Sequence, residues 1–178
     1  MKRISVLAIA FAALSTENAV AQRVDAASAL LKDREGKIVG TVALRQTPDA
    51  GVLMNVSIDG LPIGNYAFHV HETGKCDGDF SSAGGHFAPR ARKHGVLSEG
   101  GPHAGDLPNL HIVAAKYNVE IFAREFSLNK GKGSIFDDDG SALIVHRGID
   151  DYATQPAGGA GEKVACGVIT NKIIDGAP

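Results

Sequence analysis

The sequence predicts an all-β fold, an antiparallel sandwich or barrel, on three observations. Apolar and polar residues alternate with a period of two over short stretches. Gly, at 22 of 178 residues, separates those stretches with turns, and no segment carries a convincing amphipathic helical period. Trp is absent and only 21% of residues are charged, which suits short strands better than long charged helices. A hydrophobic fraction of 44% is ordinary for one domain with a real core.

The chain opens with a basic pair, Lys2 and Arg3, an apolar run over residues 4–14, and small residues at Ala19 and Ala21. This pattern predicts a secretory signal over residues 1–21, cleaved before Gln22, with the functional domain over 22–178. The apolar run is too short for a membrane span, which needs roughly 20 residues, and no Cys near the cleavage point offers a lipid attachment. Removing Lys2, Arg3 and Glu17 from the 18 basic and 20 acidic residues leaves a formal charge of about −3. A weakly acidic protein without basic runs is not expected to bind nucleic acid or an anionic membrane.

After the signal, the first strand candidate covers residues 24–32. Then Ile38, Gly40, Val42 and Leu44 share one face, opposite Val39, Thr41, Ala43 and Arg45. Beyond the turn signal TPDAG, Val52, Met54, Val56 and Ile58 face one way, so the two runs predict an antiparallel hairpin. A second turn, DGLPIGN, leads into a strand holding FHVH, in which Phe68 and Val70 share one face and His69 and His71 the other. Further strands are predicted at 111–115, 118–128, 142–146 and 165–170. An NVS sequon at Asn55 falls within a strand and is discounted as a glycosylation site.

Residues 72–109 show no sustained periodicity, only Gly, Pro, His and charge. A connection this long without structure of its own is functional or disordered. Here it carries His86, His94, His103 and Asp106, so a cross-linked functional loop is expected. In an exported protein, the two cysteines, Cys76 and Cys166, are expected to pair as a disulfide.

All seven histidines fall between 69 and 146: His69, His71, His86, His94, His103, His111 and His146. His111 reads as a surface or hydrogen-bonded residue. Imidazole nitrogens with one carboxylate suit zinc, whereas an all-imidazole set suits copper. The residues alone therefore predict one or two imidazole-rich metal sites, with the ligands not apportioned between them.

The motifs FHVHE, SAGGHF, RKHG, GPHAGDLPNL, LIVH, GGAGEK and ACGVI, in that order over about residues 36–169, resemble the Cu/Zn superoxide dismutase family in its bacterial periplasmic form. The resemblance implies an eight-stranded antiparallel Greek-key barrel with long metal-binding and electrostatic loops, and it allows a homodimer. It implies an enzyme that converts superoxide to oxygen and hydrogen peroxide by alternate reduction and reoxidation of copper, beside a structural zinc. His69, His71, His86 and His146 match the copper ligands. His86, whose ring bridges the metals, matches a zinc ligand together with His94, His103 and Asp106. Asp150 matches the carboxylate that ties His69 to His94, whereas Asp151 reads as an ordinary loop acid. Cys76 and Cys166 match the disulfide that pins the long loop to the barrel. Glu72, at the end of FHVHE, has no ligand match and reads as a loop acid.

Two departures from the family pattern bear on function. Lys163 stands where the family usually has an arginine that steers and docks the anion; lysine keeps the charge but loses the planar fork. Catalytic roles are expected for His86 and Lys163. Tyr66 and Ala67 replace the usual His and Gly before the copper strand, which bears on packing but on no ligand. The competing readings are a metal-storage or delivery protein that kept the fold without turnover and, more weakly, an adhesion sandwich.

Overall fold

The strands β1 (Ala26–Lys32), β2 (Ile38–Gln46) and β3 (Val52–Ile58) form an antiparallel meander in the computed structural model, which describes residues 25–173. The predicted export signal lies outside the described residues. Val52, Met54, Val56 and Ile58 all point into the core, each essentially without solvent exposure. Burying each of these side chains contributes about 1.5–3 kcal/mol. The alternation seen in the sequence is thus the alternation of the pleat.

The remaining strands are β4 (Gly64–His71), β5 (Leu110–Ile112), β6 (Tyr117–Ala123), β7 (Ala142–His146) and β8 (Lys163–Val168). All neighbours pair antiparallel in the order β5-β4-β7-β8-β1-β2-β3-β6, a nearly closed barrel whose hydrogen-bonded edges are β5 and β6. The chain leaves β3 for β4 on the far side and returns at β6, which lies beside β3; that crossing is a Greek key.

Three local expectations differ from the structure. The alternation places Ile38 with Val42 and Leu44, yet it is 48% exposed while Val39 is buried. The cause is a bulge: Leu31 pairs with Gly40 and Lys32 with Ile38, so Val39 is an extra residue and the faces exchange. Instead of 111–115, β5 pairs only Leu110–Ile112 with Gly64–Tyr66, because β6 begins at Tyr117 and residues 113–116 must turn. β6 ends at Ala123 rather than at 128 because its partner β3 begins at Val52, opposite Ala123.

The short β5 positions the functional loop. Past Tyr66 the outer edge of β4 has no strand beside it, and the 72–109 loop takes that edge with its own backbone. The Val70 N–H donates to Gly105 O at 2.9 Å, and the Phe87 N–H donates to Val70 O at 2.8 Å. A Cβ on Gly105 would stand 2.2 Å from Val70 O, so only glycine permits this approach. Phe68 and Val70 enter the barrel core, and His69 and His71 are covered by the loop.

The loop is anchored again by the Cys76–Cys166 disulfide, with Cα atoms 5.7 Å apart and a sequence separation of 90. Closing a loop of that size restricts the unfolded chain by about 4–5 kcal/mol in the chain-entropy account. Phe80 and Ala83 pack with Ala142, Ile144 and Cys166 as a second small core beneath it. Disorder, the alternative for this segment, is not what its packing provides. Tyr66 is nearly buried and its hydroxyl donates to Pro62 O at 3.0 Å, so the departure from His is absorbed locally.

Candidate metal centre

Strand β4 contributes His69 and His71, β7 contributes His146, and the loop returns to β4 twice. Isolated antiparallel bridges join His71 to His86 and His69 to Asp106. Two groups of ligand atoms result, His69, His71, His86 and His146 in one and His86, His94, His103 and Asp106 in the other, each within 4.8 Å. His86 belongs to both. The sequence-predicted ligands are therefore brought together, and His111 stays apart, exposed and bonded to Asn65 Oδ1 at 2.8 Å.

Tautomers follow from the partners, since carbonyl and carboxylate oxygens only accept. His71 Nδ1–H donates to Gly84 O at 2.9 Å and His146 Nδ1–H to Gly161 O at 3.0 Å. Both Nε2 atoms are thus bare lone pairs, and they face each other at 3.4 Å in a buried site. His69 Nε2–H donates to Asp150 Oδ2 at 2.8 Å, which leaves its Nδ1 bare; buried His69 Nδ1 and His86 Nε2 have no hydrogen-bond partner. Four imidazole acceptors converging without a donor are unfavourable unless a cation lies among them. The set fits copper, which heads the affinity order for imidazole sites.

The second group repeats part of that signature. His94 Nε2–H donates to Asp150 Oδ1 at 2.9 Å, so its bare Nδ1 faces Asp106 Oδ1 at 3.1 Å, acceptor against acceptor. His103 Nδ1 lies 3.3 Å from the same oxygen without a hydrogen bond, and His86 Nδ1 is 2.8 Å from it. Zn–N bonds of 2.0–2.1 Å in a tetrahedron separate the donors by about 3.3 Å, close to these spacings. Asp106 Oδ2 accepts from the Gly95 and His103 N–H groups at 2.8 and 2.9 Å, which aims Oδ1 inward. Three imidazoles and one carboxylate fit a closed zinc site.

Asp150 joins the two groups. Its side chain is fully buried, and a Cβ on Gly158 would stand 1.9 Å from its Oδ1, so glycine is needed where that chain passes. Burial pushes its pKa up, but the hydrogen bonds from His69 and His94 outweigh it and hold the carboxyl at about 2. Asp106 is likewise held well below the usual carboxylate range against burial, chiefly by His86. Burial depresses His69 and His146 from the usual 6.5 to about 4 and His71 to about 2. All three rings are neutral at pH 7, the state in which imidazole can bind a metal.

These shifts have a measurable consequence. The folded pKa values lie below 6.5, so the unfolded chain binds more protons in the window from 6.5 down to about 4, and stability falls as pH falls through it. For His69 alone the loss is about 2 kcal/mol by pH 5. The urea midpoint of the metal-free protein is expected to drop clearly between pH 7 and pH 5; a constant midpoint would contradict the neutral, buried assignment.

Several supporting residues carry no sequence signal. Asn109 brackets Asp150, accepting its N–H and donating to its carbonyl at 2.9 Å each. Gln155 does the same for the backbone of His94, at 2.9 and 2.8 Å. A single amide in a loop has no spacing by which it could be found. Asp151 is exposed as expected, but it accepts from the Ala153 and Thr154 N–H groups at 2.9 and 2.7 Å and so shapes the turn. Lys163 pairs across the sheet with His146, is half-buried, and donates from Nζ to Phe80 O at 3.0 Å and Gly84 O at 3.3 Å. Burial lowers its pKa, with Asp79 opposing.

The geometry agrees with comparisons against known proteins. A family model for copper/zinc superoxide dismutase (SODC) matches residues 38–169. Superoxide dismutase [Cu-Zn] 1 of Aquifex aeolicus is 45% identical over 141 residues, covering 77% of this chain and 83% of that protein. Superoxide dismutase [Cu-Zn] of Caulobacter vibrioides is 42% identical, covering 80% and 84%. A crystal structure of a SOD-like protein from Bacillus subtilis superposes with a TM-score of 0.75 at 42% identity, over 79% of this chain and 95% of that one. With the eight-stranded barrel and the doubled histidine cluster, these matches mean that the chain belongs to the copper/zinc superoxide dismutase family.

Proposed function

We propose that the protein is an exported superoxide dismutase, with copper held by His69, His71, His86 and His146 and zinc by His86, His94, His103 and Asp106. The observation that carries this reading is His86, whose Nε2 lies unpartnered in one ligand group while its Nδ1 lies in the other. Bound copper supplies the one-electron chemistry, alternately reduced and reoxidised, that turns superoxide into oxygen and hydrogen peroxide.

The chain's own groups do the rest. His94, His103 and Asp106 hold the Nδ1 side of His86, so its Nε2 keeps one aim. That Nε2 is the atom at which the ring takes up and returns a proton during turnover. His69, His71 and His146 keep their orientations through Asp150, Gly84 and Gly161. His86, at 7% exposure, is the most open of the first group. The exported location rests on the residue 1–21 signal and its cleavage before Gln22.

Lys163 supplies the positive charge beside His146. Two of its three N–H donors are engaged by Phe80 and Gly84, which leaves one for a substrate anion. Arginine offers five donors in a planar fork. The Lys163→Arg variant is therefore expected to match or exceed the parent rate, up to a few-fold. A marked loss of rate would remove this role from Lys163.

Those engaged donors also favour the second reading, a metal-binding protein without turnover. Copper and zinc content measured beside superoxide consumption separates the two. One equivalent of each metal with cyanide-sensitive dismutation is expected; bound metals without turnover would overturn the enzymatic reading.

A further inference from the structure

We infer that Glu72 helps to position His86, through a two-point clamp on the glycine preceding that histidine. The inference rests on the reading of His86 as the ligand shared by both sites. Glu72 follows His71 at the end of β4 and is exposed, and it belongs to neither ligand group. Its backbone N–H donates to Gly85 O at 2.9 Å, and its Oε1 accepts the Gly85 N–H at 2.9 Å. One residue thus engages both backbone polar groups of Gly85, whose covalent neighbour is His86.

A clamp is needed at this point in the chain. Gly84 and Gly85 form the most freely rotating kind of dipeptide, and Gly84 adopts φ 73° and ψ −150°, a conformation essentially restricted to glycine. Unrestrained, that pair would leave the backbone at His86 held from one side only, through Phe87, whose N–H donates to Val70 O. The Glu72 carboxylate lies directly across it: a Cβ on Gly84 would stand 2.7 Å from Glu72 Oε1 and 2.9 Å from its Cγ. The absence of a side chain at Gly84 therefore makes room for the group that restrains the two glycines.

The opposite side of the same segment is held as well. Gly84 O accepts from His71 Nδ1–H and from Lys163 Nζ, and Phe80 O accepts from Lys163 as well. Movement at Gly85 would displace His86 through the chain and His71 through Gly84 O. Holding a glutamate oxygen there transmits the rigidity of β4 to both copper-facing rings. The backbone bond from Glu72 is available to any residue at position 72, but the second bond requires a side-chain acceptor of this length.

The test compares Glu72→Ala, which loses the acceptor, with Glu72→Gln, which keeps an Oε1 acceptor and loses the charge. Amide exchange at Gly85 is read in protein loaded with zinc alone, and it reports the clamp whether or not copper turns over. The d–d bands of cobalt(II) in the zinc group and the electron paramagnetic resonance of copper(II) report the His86 ring from its two sides. Glu72→Ala is expected to speed Gly85 exchange at least tenfold and to shift both spectra, with Glu72→Gln close to the parent in all three. Unchanged exchange and spectra in Glu72→Ala, or a Glu72→Gln variant as disturbed as Glu72→Ala, would overturn the proposal. A parent protein that takes cobalt but no copper would instead overturn the shared-ligand reading, while the exchange result would still decide the clamp.

Discussion

Replacing His86 with alanine is expected to disturb both metals at once and to lower dismutation by at least a hundredfold. Each ligand group has four members, and His86 is the member they share. Its loss leaves three imidazoles on one side and two imidazoles with a carboxylate on the other, so neither site is closed. Removal of an outer partner alone typically lowers metal affinity 10–100-fold, and loss of the one side chain common to both ligand groups is expected to exceed that. Metal content after dialysis against a weak chelator, with the copper(II) spectrum, checks the result. Full zinc occupancy in His86→Ala would remove His86 from the second group.

The second large effect is expected at Asp150, which belongs to neither ligand group. Both carboxylate oxygens are used, Oδ2 by His69 and Oδ1 by His94 and the Tyr152 N–H. In Asp150→Asn one oxygen becomes an NH2 group, which meets an imidazole N–H donor to donor. The affected ring then gains by moving its proton from Nε2 to Nδ1, and Nδ1 is the atom that His69 and His94 turn towards the two ligand groups. A 10–100-fold loss of affinity at one or both sites is expected, measured by chelator competition. Equal affinities in parent and variant would show that the tautomers are held by something else.

Much of this centre was legible before folding, for reasons that differ residue by residue. Val52 to Ile58 could be read because burial on one face of a strand imposes a period of two. The same rule put His69 and His71 on a common face opposite Phe68 and Val70, and that is how β4 presents them. Val39 could not be read so, because a bulge is a property of the pair of strands and leaves no mark in either one. The end of β6 leaves no local mark for a related reason: it is set by where β3 begins, 71 residues earlier, opposite Ala123. Asn109, Gln155 and Glu72 were invisible as site residues because each acts through backbone groups distant in sequence or displaced by a loop.

By itself, the sequence determined the strand periods, the all-β class, the identity of the candidate ligand side chains and, through the ordered motifs, the family. Only the tertiary structure decided which nitrogen of each ring faces a metal group, because that depends on what the other nitrogen donates to. Gly84 O, Gly161 O and the two oxygens of Asp150 make that choice, and all are brought in by loops without periodicity. Such loops take their shape from long-range constraints, here the vacant edge of β4 and a disulfide spanning 90 residues. A local pattern carries no record of either.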